Sequence, residues 1–165
     1  MVIEETMKSW FTKPISREIF SKPYTEPHDM ETIGYLNGVQ YINDSKSTNV
    51  NKAWYALSST EKPIIWLAGG VQRQNLEPLK SQIHKVKAII CIGVNNLSIH
   101  REFGKNVDII VNLTNMDMIV SAAKLLSNKG DLVLLSPGCA SFDLYRDYSD
   151  RGNQFVKSFK RLQNA

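Results

Sequence analysis

Runs of consecutive apolar residues alternate along the chain with segments whose apolar residues recur at helical spacing. The runs are apolar nearly throughout, which is typical of strands buried on both faces of a parallel sheet. They occupy residues 63–68, 88–92, 107–111 and 132–135. The segments with helical spacing occupy residues 49–57, 76–86, 95–103, 116–126 and 153–162. This alternation predicts an α/β domain in which helices cover both faces of a mostly parallel sheet.

A β-hairpin is predicted ahead of these strands. Residues 32–36 and 39–42 flank Asn37-Gly38, a pair that readily adopts the positive φ angles of a two-residue turn. Residues 1–27 show no sustained period, and their prolines would interrupt a helix. We therefore interpret residues 1–27 as a linker or a remnant of a preceding domain, and residues 28–165 as one domain.

Composition and charge limit the classes of function. A chain of 165 residues, 42% hydrophobic, has enough apolar mass for one core. The net charge of +4 suits an anionic ligand, but acidic residues are interleaved with basic ones, so no nucleic-acid partner is predicted. The one basic cluster, Lys157, Lys160 and Arg161, has the spacing of a solvated helix face. No apolar run approaches the roughly 20 residues of a membrane span, and there is no signal peptide, so we expect a cytoplasmic protein without a membrane partner.

Three polar clusters follow predicted strands, at residues 43–49, 69–75 and 136–143. Ligands of parallel sheets bind at the carboxyl ends of the strands, so the clusters are candidate ligand sites. The first cluster places Lys46 and several hydroxyl groups at a helix start, which suits a carboxylate or phosphate. Simple capping of the helix is the alternative explanation. The Gly69-Gly70 pair matches neither a dinucleotide fingerprint nor a Walker loop, and a plain turn explains it equally well.

The sequence does not favour nucleophilic catalysis or a metal site. Ser141 or Cys139 would need a base, yet the histidines lie in a loop and in two predicted helices with no sign of convergence. These histidines are His28, His84 and His100. Cys91 and Cys139 have no partner at metal or redox spacing and are predicted to be core thiols in a reducing compartment. No catalytic residue is assigned.

Taken together, the clusters resemble a known family in order and spacing. The chain is similar to the C-terminal domain of the Mur ligases at four stretches. These are Asn43-Asp44-Ser45-Lys46-Ser47-Thr48-Asn49, Leu67-Ala68-Gly69-Gly70, residues 134–143 and Arg151-Gly152. The closest similarity is to the branch that adds D-glutamate to UDP-N-acetylmuramoyl-L-alanine. The resemblance runs from about Pro27 to the end of the chain. It implies a Rossmann-like fold and a three-domain enzyme, of which this chain resembles only the third domain.

The resemblance also implies an activity, an ATP-dependent amide ligation in peptidoglycan precursor synthesis. ATP and Mg²⁺ would be bound mainly by the central domain, and UDP-N-acetylmuramoyl-L-alanine also by domains outside this chain. The third domain would hold the incoming D-glutamate. Family residues that contact D-glutamate match Lys46, Thr48, Ser141, Phe142 and Tyr148, and a family lysine falls on Arg73. Family residues that meet the nucleotide match Asp44 and His28.

One departure from the family lies ahead of the hairpin. Where the Mur ligases usually have His-Arg, this chain has His28-Asp29, so an acid replaces a cation expected near the nucleotide. This departure fits either a true ligase with a different nucleotide contact or a stand-alone, partly degenerate binding module without catalysis. A ligase for another acidic amino acid is a further alternative, because any small dicarboxylate would use the same cations. In every case the chain alone is not expected to turn over ATP, because it offers no loop to cradle the β- and γ-phosphates.

Overall fold

The structure is a computed structural model that describes residues 26–69, 74–141 and 143–165. The predicted linker or domain remnant lies almost wholly outside the described residues. Arg73 and Phe142 also lie outside them. No helix in the described ranges is long and apolar enough to cross a membrane.

Six strands form one sheet in the order β1-β2-β6-β3-β4-β5. Their bounds are β1 Glu31–Leu36, β2 Val39–Asn43, β3 Ile64–Ala68, β4 Val86–Cys91, β5 Ile109–Asn112 and β6 Leu132–Leu135. Only the β1–β2 pair is antiparallel, and all other neighbours are parallel. The predicted mostly parallel α/β sheet is therefore confirmed.

The predicted hairpin forms the edge of this sheet. Asn37 and Gly38 have φ angles of 53° and 77°, as the predicted two-residue turn requires. The second strand of the hairpin pairs in parallel with β6, from Gln40 opposite Leu132 to Asn43 opposite Leu135. The hairpin is thus continuous with the parallel sheet, and its second strand brings the first polar cluster to the carboxyl edge.

Within the described residues, four α-helices and one 3₁₀ helix accompany the strands. Their bounds are α1 Val50–Ser58, the 3₁₀ helix Glu77–Lys85, α2 Leu97–Phe103, α3 Met116–Leu126 and α4 Tyr148–Gln163. The segment predicted as a helix over residues 76–86 is a 3₁₀ helix that buries Leu79 and Ile83. Helix α4 begins five residues before its predicted start because the Asp147 carboxylate accepts a hydrogen bond from the backbone N–H of Asp150 and caps it.

The helices cover both faces of the sheet, as predicted. Helices α1 and α2 and the 3₁₀ helix pack on one face against Ile64, Trp66 and other alternate strand residues. Helices α3 and α4 pack on the other face, against Ile65 and Leu67 among others. Because side chains alternate between faces along a strand, a strand covered on both sides must be apolar at every position.

Both cysteines are buried, as predicted for core thiols. Cys91 lies at the end of β4, where burial raises the pKa of its thiol to about 12. A thiol with so high a pKa is not ionised near neutral pH and is a poor nucleophile. Cys139 lies in the third polar cluster.

Candidate functional site

The three polar clusters meet at one edge of the sheet. Strand β6 lies between β2 and β3, so the loops that follow these three strands are neighbours. The backbone N–H of Gly138 donates to the carbonyl of Ser47 at 3.0 Å, which joins the third cluster to the first. The N–H of Gly69 donates to the carbonyl of Pro137 at 2.9 Å, which joins the second cluster to the third. The described parts of the clusters thus adjoin one another at one edge of the sheet, as the sequence predicted.

Lys46 of the first cluster is held by acidic side chains. Its Nζ lies 2.5 Å from a carboxylate oxygen of Glu26 and 3.9 Å from one of Asp29. The Glu26 partner raises the pKa of Lys46, and Lys46 in turn lowers the pKa of Glu26. Both side chains are substantially exposed to solvent, so the pair is weak. A ligand carboxylate can therefore take the place of Glu26.

The start of helix α1 is capped by residues other than Lys46 and Thr48. The side chain of Asn49 accepts from the N–H of Lys52 at 3.0 Å. The Gln74 side chain, from the second cluster, accepts from the N–H of Val50 at 2.9 Å. Helix capping therefore explains the role of the Asn49 side chain. It does not explain why Lys46 and the half-buried Thr48 stand at this helix start.

Asp44 is a buried carboxylate at the end of β2. Its two oxygens accept from the Ser136 hydroxyl at 2.7 Å and from the N–H of Met30 at 3.1 Å. Burial raises the pKa of Asp44 to about 6, and these hydrogen bonds only partly offset that effect. The carboxylate lines a pocket of about 240 Å³ together with Lys46.

Ser141 belongs to the third cluster, and Tyr148 lies against the first cluster. Ser141 is 2% exposed, and its carbonyl accepts from the N–H of Tyr145 at 3.0 Å. Tyr148 is the first residue of α4, is 37% exposed, and its carbonyl accepts from the Ser45 hydroxyl at 2.8 Å. The N-terminus of α4 is thereby fixed against the first cluster.

His28 lies inside the protein. It is 8% exposed, and its Nδ1 accepts from the Asn43 side-chain amide at 2.9 Å. Its ring also lies edge-on to that of Tyr148, with 6.3 Å between the ring centroids. The Nδ1 atom is therefore occupied by Asn43, and a contact of His28 with a nucleotide stays a prediction. The roles predicted for Arg73 and Phe142 also stay predictions, since both lie outside the described residues.

Arg151 is a residue of the site that sequence reasoning missed. It is 1% exposed, and its guanidinium donates to the Ser45 hydroxyl at 2.9 Å, the Ser45 carbonyl at 2.7 Å and the Cys139 carbonyl at 3.1 Å. It therefore joins the first and third clusters to α4. The available signal was its spacing: Arg151 stands four residues before Phe155 on the buried face of the helix.

The described residues contain no evident metal site. Within residues 26–69, 74–141 and 143–165, no three His, Cys, Asp or Glu side chains are grouped so that they could hold a metal ion. The donors that converge at the sheet edge are instead a lysine, hydroxyl groups and backbone amides. Such donors bind anionic oxygens.

Comparison with known proteins assigns the family. Residues 30–139 match the family described as "Mur ligase, glutamate ligase domain". The UDP-N-acetylmuramoylalanine--D-glutamate ligase of Christiangramia forsetii is 50% identical over 139 residues, which are 82% of this chain and 31% of that protein. The Porphyromonas gingivalis ligase of the same name is 44% identical over 140 residues, with the same coverage. The chain thus spans about a third of the length of these relatives.

A solved structure shows the same fold. The MurF ligase from Thermotoga maritima, crystallised in complex with ADP, superposes with a TM-score of 0.56 at 14% identity. The match covers 97% of this chain and 37% of the MurF chain. At this identity the likeness concerns the fold alone. Because the family match spans more than half of its residues, the chain belongs to the Mur ligase family, through the glutamate ligase domain.

Proposed function

We propose that the chain is the D-glutamate-binding domain of an ATP-dependent ligase. The complete ligase would join D-glutamate to UDP-N-acetylmuramoyl-L-alanine in the cytoplasm, as a step of peptidoglycan synthesis that supports cell-wall growth and cell division. The names of its relatives support this assignment. The observation that carries it is the meeting of the three clusters at the ends of β2, β6 and β3.

The reaction of such a ligase would have two steps. In the first step, the carboxylate of UDP-N-acetylmuramoyl-L-alanine attacks the γ-phosphoryl group of ATP, an acyl phosphate forms, and ADP leaves. The neutral amine of D-glutamate then attacks the acyl phosphate, an amide forms, and phosphate and the amine proton leave. The part of this chain is to hold the two carboxylates of D-glutamate so that the amine faces the acyl carbon. Mg²⁺ would neutralise phosphate charge, and we assign its binding to the rest of the ligase because the described residues form no metal site.

The site matches the charge of D-glutamate. The ammonium group of Lys46 attracts a carboxylate, and Thr48 adds a hydroxyl donor. Ser141 and Tyr148 border the same surface from the third cluster and from α4. The described residues supply only part of the site and no closed, water-free cavity, so the affinity of the chain for D-glutamate should be weak. The chain should also not turn over ATP alone.

A titration of the ¹⁵N-labelled chain with D-glutamate, followed by chemical shifts, tests the proposal. We expect saturable changes at residues 43–49, 136–141 and 148–151, with smaller changes for L-glutamate. Equal or larger changes with D-aspartate would indicate a ligase for another acidic amino acid. A folded chain that shows no change at millimolar D-glutamate would favour a binding module that has lost this function.

Lys46→Ala tests the central residue in the complete ligase. A charge-assisted hydrogen bond contributes about 1.5–3 kcal/mol, so the Michaelis constant for D-glutamate should rise by roughly one to two orders of magnitude. Lys124→Ala is the matched control, because Lys124 is exposed on α3 on the opposite face of the sheet. An unchanged Michaelis constant for Lys46→Ala would remove Lys46 from the site.

A further inference from the structure

The segment that leads into β1, residues 26–30, lies across the first polar cluster and is called here the entry segment. The backbone N–H of Lys46 donates to the carbonyl of His28 at 2.9 Å. The backbone N–H of Met30 donates to a carboxylate oxygen of Asp44 at 3.1 Å. The entry segment is therefore bonded directly to the cluster that carries predicted ligand contacts.

The carboxyl end of the entry segment is firmly fixed. His28 is 8% exposed, and its ring lies where a side chain at position 152 would otherwise stand. His28 and Met30 have φ angles of 66° and 46°, a left-handed conformation that is uncommon for residues with side chains. Such a conformation persists only where the surrounding contacts hold it. The domain itself thus sets the positions of His28 and Met30.

The amino end of the entry segment is held by one exposed ion pair. Among the described residues, Glu26 forms an ion pair with Lys46 alone, at 2.5 Å, and its side chain is 53% exposed. The Glu26 carbonyl accepts from the N–H of Asp29 at 3.2 Å, a contact within the segment. Because an exposed ion pair contributes little to stability, Glu26 is the part of the segment that a ligand can displace most easily.

Two carboxylates of the entry segment balance the charge of Lys46. The Asp29 carboxylate lies 3.9 Å from the Nζ of Lys46, in addition to that of Glu26. A ligand carboxylate that joined them would place three negative charges around one ammonium group, and their mutual repulsion is unfavourable. Asp29 lies between the fixed residues His28 and Met30, whereas Glu26 lies outside them. Repulsion by a ligand therefore acts to remove Glu26.

We infer that Glu26 is an internal competitor at the amino-acid site: its carboxylate occupies Lys46 in the free domain and leaves when a ligand carboxylate binds there. The inference rests on the proposed function and adds to it a regulation of the same site. The Glu26 side chain ends in the same carboxylate group as the side chain of D-glutamate, so both offer Lys46 the same contact. Because His28 stays in place, ligand binding releases the chain only ahead of residue 28.

Glu26→Gln tests the inference in D-glutamate titrations of the ¹⁵N-labelled chain. Glutamine keeps the size of the side chain and removes its charge. D-Glutamate should therefore bind about two- to fivefold more tightly, as expected when one exposed ion pair no longer competes. Glu61→Gln is the matched control, because it removes the same charge from a side chain that is 91% exposed ahead of β3, at the opposite edge of the sheet. It should leave the affinity unchanged.

Displacement of Glu26 also has a structural signature in the unaltered chain. Saturating D-glutamate should move the amide signal of Asp29, whose N–H donates to the Glu26 carbonyl, toward its position in the ligand-free Glu26→Gln chain. The N–H of Lys46 donates to the fixed carbonyl of His28, so it should keep its protection from hydrogen exchange. Loss of that protection on binding would show that the whole segment leaves, and would overturn the assignment to Glu26.

Glutarate, a dicarboxylate of the same length without the amine, separates this inference from the proposed function. Equal D-glutamate affinities of the unaltered and Glu26→Gln chains would overturn the internal competitor and leave the proposed function standing. Equal tightening by Glu26→Gln and Glu61→Gln would do the same, since only net charge would then matter. Tighter glutarate binding by Glu26→Gln, with no response of any variant to D-glutamate, would support the competitor and contradict the amino-acid assignment. No response of any variant to either ligand would contradict both.

Discussion

Replacement of Arg151 by methionine tests whether one buried side chain holds the site together. The guanidinium donates three hydrogen bonds, to the hydroxyl and carbonyl of Ser45 and to the carbonyl of Cys139. Methionine has a similar length but no donor. Arg151→Met therefore leaves two buried carbonyl groups and a hydroxyl without this partner, while most of the apolar contact of the side chain is kept.

The expected loss of stability follows from these contacts. Each buried acceptor that loses its donor costs about 1–3 kcal/mol. Part of this loss of stability is offset, because the substitution also removes a buried cation, which is costly to desolvate. Among the described residues, this cation forms no ion pair with a carboxylate. Burial lowers the pKa of Arg151, which shows that its charge is poorly solvated there. The net destabilisation should be about 3–5 kcal/mol.

Urea unfolding measures this difference. With an m-value of about 1–3 kcal/mol/M, the midpoint should fall by about 2 M. Arg146→Met is the control, since the Arg146 side chain is 88% exposed and lies 3.9 Å from Asp150, and its effect should be below about 0.5 kcal/mol. Arg151→Lys should be intermediate, because one ammonium cannot reproduce the fork of the guanidinium. Equal midpoints for Arg151→Met and Arg146→Met would refute the reasoning.

Four further substitutions address the local geometry of the site, one of them paired with a second change. Asn49→Ala should lower stability by about 1 kcal/mol in urea unfolding without altering D-glutamate shifts, whereas Thr48→Ala should weaken D-glutamate binding with little loss of stability; the reverse pattern would return Thr48 to a capping role. The pKa of Asp44, about 6 in the folded state against an ordinary 3.8, means that the folded state holds this proton more tightly, so stability should fall as pH rises from about 4 to about 6. Asp44→Asn should remove this fall, which can reach about 3 kcal/mol, and an identical pH profile for both proteins would contradict the assignment. Gly152→Ala should destabilise by about 1–3 kcal/mol in thermal melts despite better helix propensity, because the new Cβ would lie 2.2 Å from the Nδ1 of His28; removing the ring with His28→Ala in the double variant should recover much of the loss.

The elements with the strongest hydrophobic pattern were predicted closest to their observed bounds. Helix α3 and strand β6 begin and end at the predicted residues. The segment Glu77–Lys85 shows where pattern fails, since its buried residues Leu79 and Ile83 have the spacing of an α-helix although the segment is a 3₁₀ helix. Helix α4 was predicted to start too late, at residue 153, whereas it begins at Tyr148 and includes Gly152, which makes room for the ring of His28.

The candidate site was only partly predictable. The rule that ligand groups gather at the carboxyl ends of parallel strands identified the three clusters. It did not reveal Arg151, because the helix was predicted to begin only at residue 153 and a charged residue is expected to face solvent. Nor could the sequence show that Glu26 holds Lys46, since their contact depends on how the segment before β1 folds over the end of β2.

The strand order has a consequence for how the domain assembles. Strand β2 pairs only with β1 and β6, and β3 only with β4 and β6. A nascent chain that has not yet released β6 from the ribosome therefore holds two separate pieces of sheet, a hairpin and a three-stranded unit, with no backbone hydrogen bonds between them. Insertion of β6 joins the two pieces and, in the same event, brings the polar loops that follow β2 and β3 to either side of the loop that follows β6. The ligand surface thus needs β6 in place, and a chain that fails to complete its sheet also fails to present that surface.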